Sequence, residues 1–137
     1  MNYLSKASVT KLSYEITGCA ITVHKALGPG LLESIYEKCL CFELEKNGFE
    51  VQQQFPITIN YEGNLIDSEL KLDLLVEDTI IVELKTVKEL LPVHSAQLLS
   101  YMKLLKKPQG LLFNFYSDNI TKCMKPFINE YFERLPS

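Results

Sequence analysis

The sequence predicts an α/β protein with a mixed β-sheet flanked by helices, on two observations. Apolar residues recur every three or four positions over residues 8–47, which indicates helices. After Gly48 they alternate with polar residues, which indicates strands, and a helical repeat at 92–105 precedes a short apolar run at 111–116. The expected order is helix, helix, three strands, helix and strand, which favours one mixed sheet covered by helices.

The first two elements are helices separated by a glycine-rich turn. Apolar residues with the spacing of one helix face are Val9, Leu12, Ile16, Ala20, Val23 and Leu27. Gly-Pro-Gly at 28–30 ends this first helix. A second helix is expected over 31–47, and Gly48 lies where a C-terminal glycine belongs.

Three strands are expected next, over residues 51–61, 65–76 and 79–85. A turn at 62–64 separates the first two strands, and the second should bend or bulge near 67–69. Glu77 and Asp78 form a tight turn, so the second and third strands should pair as an antiparallel hairpin.

The remaining elements complete one expected domain over residues 1–137, with its core at about 27–116. Pro92 opens a helix that extends to Leu105 and is broken at 106–110. An apolar strand follows at 111–116, and a weak helix is expected near residues 128–134.

The composition excludes several classes of protein. The chain is 47% hydrophobic and 23% charged, as is usual for a soluble globular protein. It has no apolar run of about 18 to 20 residues and no apolar signal segment in residues 1–15, so we expect a cytoplasmic protein with no membrane partner. Its 4 cysteines lack C-x-x-C spacing and it has 2 histidines, so we expect reduced, mostly buried thiols and no Cys/His metal site.

Charge is distributed unevenly along the chain. Residues 1–83 carry 6 Lys and Arg against 13 Asp and Glu, whereas residues 84–137 carry 8 against 4. The basic second part could face phosphate groups, but scattered solvated lysines explain the imbalance equally well. A basic groove would require Lys71, Lys88, Lys103, Lys106, Lys107, Lys122 and Lys125.

Two strands of the hairpin carry charges inside apolar runs. In residues 79–85, alternation places Ile81, Glu83 and Lys85 on one face and Ile80, Val82 and Leu84 on the other. In residues 70–76, it places Lys71, Asp73 and Leu75 opposite Leu70, Leu72, Leu74 and Val76. If the hairpin closes at residues 77–78, Asp73 and Glu83 converge.

Two adjacent carboxylates repel each other unless a proton or a cation lies between them. Oxygen ligands suit Mg²⁺ or Mn²⁺, and a lysine beside that ion could hold a water or a phosphate oxygen. Asp73, Glu83 and Lys85 would then promote metal-assisted attack of water on a phosphodiester. The alternative is an ordinary solvent-exposed charge pair across two strands.

Further motifs accompany this hairpin. GLLESIY at 30–36 fits G-x-x-E-x-x-Y, and QLLSY at 97–101 fits Q-x-x-x-Y. Together with KLDLLVEDTIIVELK at 71–85, they resemble the GxxExxY family of the PD-(D/E)XK nuclease superfamily, and the second motif is similar to that of its RecB-like exonuclease branch. The resemblance covers about residues 27–115 and implies a restriction-endonuclease-like core.

The resemblance implies an enzyme, a Mg²⁺- or Mn²⁺-dependent nuclease that hydrolyses the phosphodiester bonds of DNA. It implies that Asp73 and Glu83 bind the metal and that Glu33 helps to hold the metal or its waters. Lys85 would polarise the attacking water or stabilise the phosphate. Gln97 would orient that lysine or a substrate phosphate.

Supporting positions are expected for Tyr36, His94 and Tyr101. His94, Gln97 and Tyr101 share one helix face because they are three and four residues apart. For both tyrosines, core packing with a tethered hydroxyl is the favoured interpretation. His94 should be hydrogen-bonded or solvated in the first helical turn, with a phosphate or proton-shuttle role as the alternative.

Some features leave other functions open. Leu72 stands where the superfamily name has proline, and no separate DNA-binding element is visible. A homodimer or a protein partner is therefore expected beside the nucleic acid. The competing hypotheses are a non-catalytic nucleic-acid-binding or assembly module that keeps the fold, and a structural protein with a polar sheet face.

Overall fold

The computed structural model describes residues 4–137 and contains a five-stranded mixed sheet with helices on both faces. The predicted fold class is therefore confirmed. The helices are α1 (Lys6–Leu27), α2 (Glu33–Lys46), α3 (Pro92–Leu105) and the short α4 (Glu130–Glu133). The strands are β1 (Val51–Pro56), β2 (Ile59–Tyr61), β3 (Asn64–Ile66), β4 (Lys71–Val76), β5 (Ile80–Lys85), β6 (Gln109–Asn114) and β7 (Met124–Ile128), and a 3₁₀ turn covers Ile120–Cys123.

The five-stranded sheet has the order β1-β4-β5-β6-β7. β1, β4 and β5 pair antiparallel, as do β6 and β7. β5 and β6 are parallel because α3 carries the chain back across one face of the sheet. Because β4 and β5 are antiparallel neighbours, the start of β4 and the end of β5 lie at the same end of the sheet.

The core has two layers, one on each face of the sheet. Buried side chains of α1 and α2 pack with Leu74, Val82 and Phe113 on one face. Leu98, Tyr101 and Met102 of α3 pack on the other face. Gly110 permits the second contact, since an added Cβ would lie 2.7 Å from Leu98 and 2.8 Å from Met102.

The prediction of one continuous strand over residues 51–61 is wrong, because β1 ends at Pro56 and a separate strand, β2, begins at Ile59. Proline supplies no ladder donor, and the next residue is anchored elsewhere. Ile57 is buried, its N–H donates to the carbonyl of Leu70, and its carbonyl accepts from the Ser68 hydroxyl at 2.7 Å.

The second expected strand is also divided, at the place where a bend was predicted. β3 ends at Ile66 and β4 begins at Lys71, so β2 and β3 form a separate two-stranded sheet. This β2–β3 hairpin leaves Tyr61 and Leu65 61% and 74% exposed.

The prediction that Leu72 and Leu74 share one face of the sheet is wrong. Leu72 packs with Leu75 and Ile81 on the α3 side, whereas Leu74 packs on the α1 and α2 side. Alternation is therefore lost at Asp73, where the opposing residue, Gln54, has a left-handed backbone with φ of 50°.

The C-terminal region contains a strand that the sequence did not reveal. β7 pairs antiparallel with β6 as the edge of the sheet, where Lys125 and Pro126 are tolerated. The expected helix near 128–134 is confirmed only as α4, which is capped by the side chain of Asn129.

The predicted state of the cysteines is confirmed in part. All 4 are free, and Cys19 and Cys41 are buried, whereas Cys39 and Cys123 are partly buried. Burial is the main cause that raises the pKa of Cys41 to about 11, so its thiol stays protonated. Among residues 4–137, none of the helices combines the length and the hydropathy that crossing a membrane requires.

Candidate active site at the end of the central sheet

The acidic side chains of β4 and β5 meet where these two strands diverge. The last paired residues on this side are Leu74 and Val82, so Asp73 and Glu83 occupy the next opposed positions. The N–H of Leu84 donates to Asp73 Oδ2 at 2.9 Å, and the N–H of Asp73 donates to Glu83 Oε2 at 3.2 Å. Backbone donors therefore hold both carboxyl groups at the splayed end of the hairpin.

Glu83 is the more deeply buried of these two residues, with 5% of its surface exposed. Burial, and then the hydrogen bond and negative charge of Asp73, raise the pKa of Glu83 to about 9. Lys85 opposes this effect, but it does not offset the burial. At neutral pH and without a cation, Glu83 therefore retains its proton.

Glu37 joins this pair, although sequence reasoning did not identify it. It is buried in α2, and its pKa is raised first by burial and then by the charge of Asp73. Gln53 Nε2 donates to Glu37 Oε2 at 3.2 Å, and Gln54 Nε2 donates to Glu37 Oε1 at 2.7 Å. Both oxygens of Glu37 are thus held by β1.

Gln54 connects two of the acidic groups. Its side-chain amide also lies 3.4 Å from Asp73 Oδ1, so a single amide group bridges Glu37 and Asp73. Its φ of 50° is uncommon for a residue other than glycine and costs about 1–3 kcal/mol. Backbone strain is therefore stored directly beside the acidic groups.

Glu33 and Lys85 lie at the rim of the site. Glu33 is the first residue of α2 and is partly buried. Its pKa is raised by burial and by the charge of Asp73 and is lowered by Lys85, so Asp73 and Lys85 both lie within electrostatic reach of Glu33. The structure therefore brings four of the five residues that the resemblance indicates, Glu33, Asp73, Glu83 and Lys85, to one place.

Tyr36 fixes the turn that leads into α2. Its hydroxyl donates to the carbonyl of Gly28 and accepts the N–H of Leu31 at 3.1 Å. Its ring is fully buried and stacks on Phe115, with the ring centroids 4.6 Å apart. Core packing with a tethered hydroxyl is thus confirmed for Tyr36, which positions the start of the helix that carries Glu33.

The three residues of α3 differ in their relation to the acidic groups. The expected core packing is confirmed for Tyr101, but within the described residues no hydrogen bond tethers its hydroxyl. Burial, followed by the charges of Glu83 and Asp73, raises the pKa of Tyr101. His94 accepts the N–H of Leu91 at Nδ1 and so caps the helix, as its expected place in the first turn implies. Gln97 is exposed, and within residues 4–137 its side chain forms no hydrogen bond.

Two of the residues that hold the site were missed for different reasons. Glu37 is four residues after Glu33 and therefore shares its helix face, so extending the helix reasoning from Glu33 would have found it. Gln54 gives no such signal, because its role depends on an unusual backbone conformation opposite Asp73.

The donor atoms suit a hard divalent cation. Asp73 and Glu83 offer carboxylate oxygens, and Glu33 and Glu37 add negative charge nearby. Within residues 4–137, no three Asp, Glu, His or Cys side chains form a ready ligand cluster. Mg²⁺ is commonly held by one or two carboxylates, with waters and substrate oxygens completing its shell, so the Asp73 and Glu83 pair fits that ion.

Positive charge is distributed unequally between the two ends of the sheet. Lys71 and Lys88 lie within a few residues of the strand ends that carry the acidic pair. Lys107 instead pairs with Asp78 at 2.8 Å, in the turn at the opposite end of the β4–β5 hairpin. Lys107 therefore lies away from the acidic pair, in an ion pair with Asp78.

Comparison with known proteins assigns the chain to one family. The sequence model of a family in the PD-(D/E)XK nuclease superfamily matches residues 10–126, a range that includes every acidic residue of the site. The mixed five-stranded sheet with its flanking helices is consistent with the restriction-endonuclease-like fold of that superfamily. No curated protein and no solved structure shows a significant match to the chain.

Proposed function

This chain belongs to the PD-(D/E)XK nuclease superfamily, and on that premise we propose that it is a Mg²⁺- or Mn²⁺-dependent nuclease that hydrolyses DNA. The observation that carries the proposal is the pair of buried Glu83 and partly buried Asp73, whose carboxyl groups are held by backbone N–H groups within electrostatic reach of Lys85. Burying one carboxyl group beside a second, partly buried one is costly for folding unless their charge is compensated. A module that only binds nucleic acid or another protein has no need of such a pair.

Each residue has a distinct role in the proposed reaction. When bound by Asp73 and Glu83, the metal supplies Lewis-acid activation of water and compensation of phosphate charge. The ammonium group of Lys85 orients the attacking water or binds a non-bridging phosphate oxygen. Glu33, at the rim, accepts hydrogen bonds from waters around the scissile phosphate.

We further propose that the chain belongs to the GxxExxY family within this superfamily. Gly30, Glu33 and Tyr36 fit the GxxExxY motif, and Tyr36 holds the turn that contains the glycine. Gln97 and Tyr101 fit the Q-x-x-x-Y element of RecB-like exonucleases. Because Gln97 is exposed, it is available to a substrate phosphate, while Tyr101 lies buried near the acidic pair.

A cleavage assay tests this function directly. Linear and circular DNA, each single- and double-stranded, would be incubated with wild-type protein in Mg²⁺, in Mn²⁺ or in EDTA. We expect cleavage that requires metal, and the comparison of linear with circular substrates separates end-dependent from internal cutting. An RNA of the same sequence tests the choice of nucleic acid.

Matched variants distinguish the proposed site from contamination. Lys85→Ala and Asp73→Asn should reduce cleavage by at least about a hundredfold, since each removes a group that acts on the transition state. Lys46→Ala and Asp67→Asn change exposed residues of the same types away from the site and should cleave like wild type. Equal cleavage by Lys85→Ala and wild type would refute the proposal.

A further inference from the structure

A cavity of about 520 Å³ lies at the end of β6, on the strand next to Lys85, and has no part in the proposed metal chemistry. We call it the Tyr116 cavity. Besides the acidic Asp118, its lining includes Pro29, Gly30, Lys88, Asn114, Tyr116 and Ser117. Its volume is within the range of roughly 300–1,000 Å³ that is typical of ligand sites.

Backbone pairing between β5 and β6 connects the lining of the cavity to Lys85 of the proposed active site. Asn114 pairs with Lys85 in the parallel β5–β6 ladder. The N–H of Phe115 donates to the carbonyl of Lys85 at 2.8 Å, so Tyr116 follows directly on the strand beside the lysine. Gly30, on the other side of the cavity, is three residues before Glu33. A substrate phosphate at Lys85 would therefore place its neighbouring nucleotide at this cavity.

The walls of the Tyr116 cavity are held rigidly. The side chain of Asn114 accepts the N–H of Val87 at 3.1 Å and donates to the carbonyl of Val87 at 2.8 Å. The carbonyl of Ser117 lies 2.6 Å from Nε2 of the buried His24. A pre-formed cavity loses little conformational freedom when it binds a ligand.

One aromatic ring and one cation remain available to a ligand. Tyr116 is 50% exposed, and within residues 4–137 its hydroxyl forms no hydrogen bond. Lys88 is exposed and forms no ion pair within the same range. Gly30 has no side chain to obstruct the approach of a nucleic-acid backbone. An exposed ring beside a lysine is the combination that binds an unpaired base and its phosphate.

We propose that the Tyr116 cavity binds an unpaired nucleobase next to the scissile phosphate, stacked on Tyr116 and with its phosphate near Lys88. This inference rests on the proposed function and narrows its substrate to nucleic acid with a single-stranded end or segment. A base inside a duplex is stacked on both faces and cannot also stack on the tyrosine.

Binding measurements test the proposal independently of cleavage. Fluorescence anisotropy would give the Kd of the Asp73→Asn protein for labelled single-stranded DNA, for RNA of the same sequence and for blunt duplex DNA. Adding Tyr116→Ala should raise the Kd for single strands roughly five- to a hundredfold, the loss expected from stacking one base. Tyr116→Phe should bind normally, because it retains the ring.

The matched control is Tyr61→Ala, which removes another exposed tyrosine, from the β2–β3 hairpin. A series of oligonucleotides with one abasic nucleotide at successive positions completes a double-mutant cycle. At the position that contacts Tyr116, loss of the base should eliminate the effect of Tyr116→Ala. The same result with RNA would extend the ligand to unpaired bases of either nucleic acid.

Several outcomes would overturn the proposal. They are equal Kd values for Tyr116→Ala and Tyr61→Ala, equal affinity for single strands and blunt duplex, or absence of nucleic-acid binding. Metal-dependent cleavage that is insensitive to Tyr116→Ala would refute the cavity while leaving the nuclease intact. Tyr116-dependent binding by a wild-type protein that does not cleave would refute the nuclease alone.

Discussion

The proton that Glu83 retains makes the stability of the metal-free protein depend on pH. Burial and Asp73 raise the pKa of Glu83 from 4.5 to about 9, whereas unfolding returns it to its ordinary value. Between these pH values the folded state binds more protons than the unfolded state. The free energy of unfolding therefore falls as the pH rises from about 5 towards 9.

Glu83→Gln should remove most of this pH dependence. The amide has nearly the same shape, its oxygen can accept the N–H of Asp73, and it carries no charge at any pH. In EDTA we expect the variant to be more stable than wild type at pH 8 to 9 and about equally stable near pH 4 to 5. Urea unfolding across this range measures the difference.

The control for this prediction is Glu69→Gln, which neutralises an exposed carboxylate between β3 and β4. It should follow the pH dependence of wild type. If Glu83→Gln did so as well, the buried carboxyl group would not be the source of the effect.

Those residues of the candidate site whose positions depend on local geometry could be predicted from the sequence. Strand alternation and a tight turn suffice to bring Asp73 near Glu83 and Lys85. Glu37 and Gln54 depend on how α2 crosses β1, which is a long-range property. The altered face of Leu72 is likewise a result of the break in alternation at Asp73.

At the scale of elements, the turn before α2 depends on a single hydroxyl group. Tyr36→Phe would remove the two hydrogen bonds to Gly28 and Leu31 but would retain the stacking on Phe115. We expect a loss of about 1–3 kcal/mol of stability, because two backbone groups lose their partner. Cleavage should fall further than the folded fraction does, since Glu33 begins the attached helix.

This prediction separates a positioning role from a purely structural one. Chemical unfolding gives the stability of Tyr36→Phe, and cleavage would be measured where the variant remains folded. Tyr131→Phe, on the remote α4, is the control. Full activity in stable Tyr36→Phe would show that the turn does not position Glu33.

The contact between α3 and β6 requires a residue without a side chain. In Gly110→Ala, the new methyl group would lie within 3 Å of Leu98 and Met102, both fully buried. We expect a loss of about 1–3 kcal/mol from overpacking. Gly18→Ala on α1 meets no atom within 4 Å and should gain stability slightly in the same unfolding measurement.

The elements that sequence reasoning missed lie at the margins of the sheet. β7 carries Lys125 and Pro126, which interrupt the apolar alternation, and an edge strand tolerates both. The break after Pro56 depends on the bond between Ser68 and Ile57, two residues that are distant in sequence. The central hairpin, α3 and β6 were predicted because burial leaves clear periodic patterns there.

At the scale of the whole molecule, one end of the sheet concentrates negative charge that a cation can neutralise. Millimolar Mg²⁺ or Mn²⁺ should raise the melting temperature, since the ion binds the folded state and relieves repulsion between carboxylates. The shift should grow from pH 6 to pH 9, because metal and proton compete for Glu83.

A thermal scan with and without metal measures this effect. Asp73→Asn should abolish the shift while remaining folded, whereas Asp67→Asn, with its exposed carboxylate in the segment between β3 and β4, should retain it. A melting temperature that does not respond to metal at pH 9 would contradict the proposed metal site.

The β2–β3 hairpin has a practical consequence for experiments on this molecule. It is a sheet of its own, its tip at Glu62 and Gly63 is exposed, and it lies outside the strands that hold the acidic groups. A two-stranded hairpin contributes little to a cooperative core and can open alone. A fluorophore or an affinity tag inserted after Gly63 should therefore report on the protein without changing its chemistry.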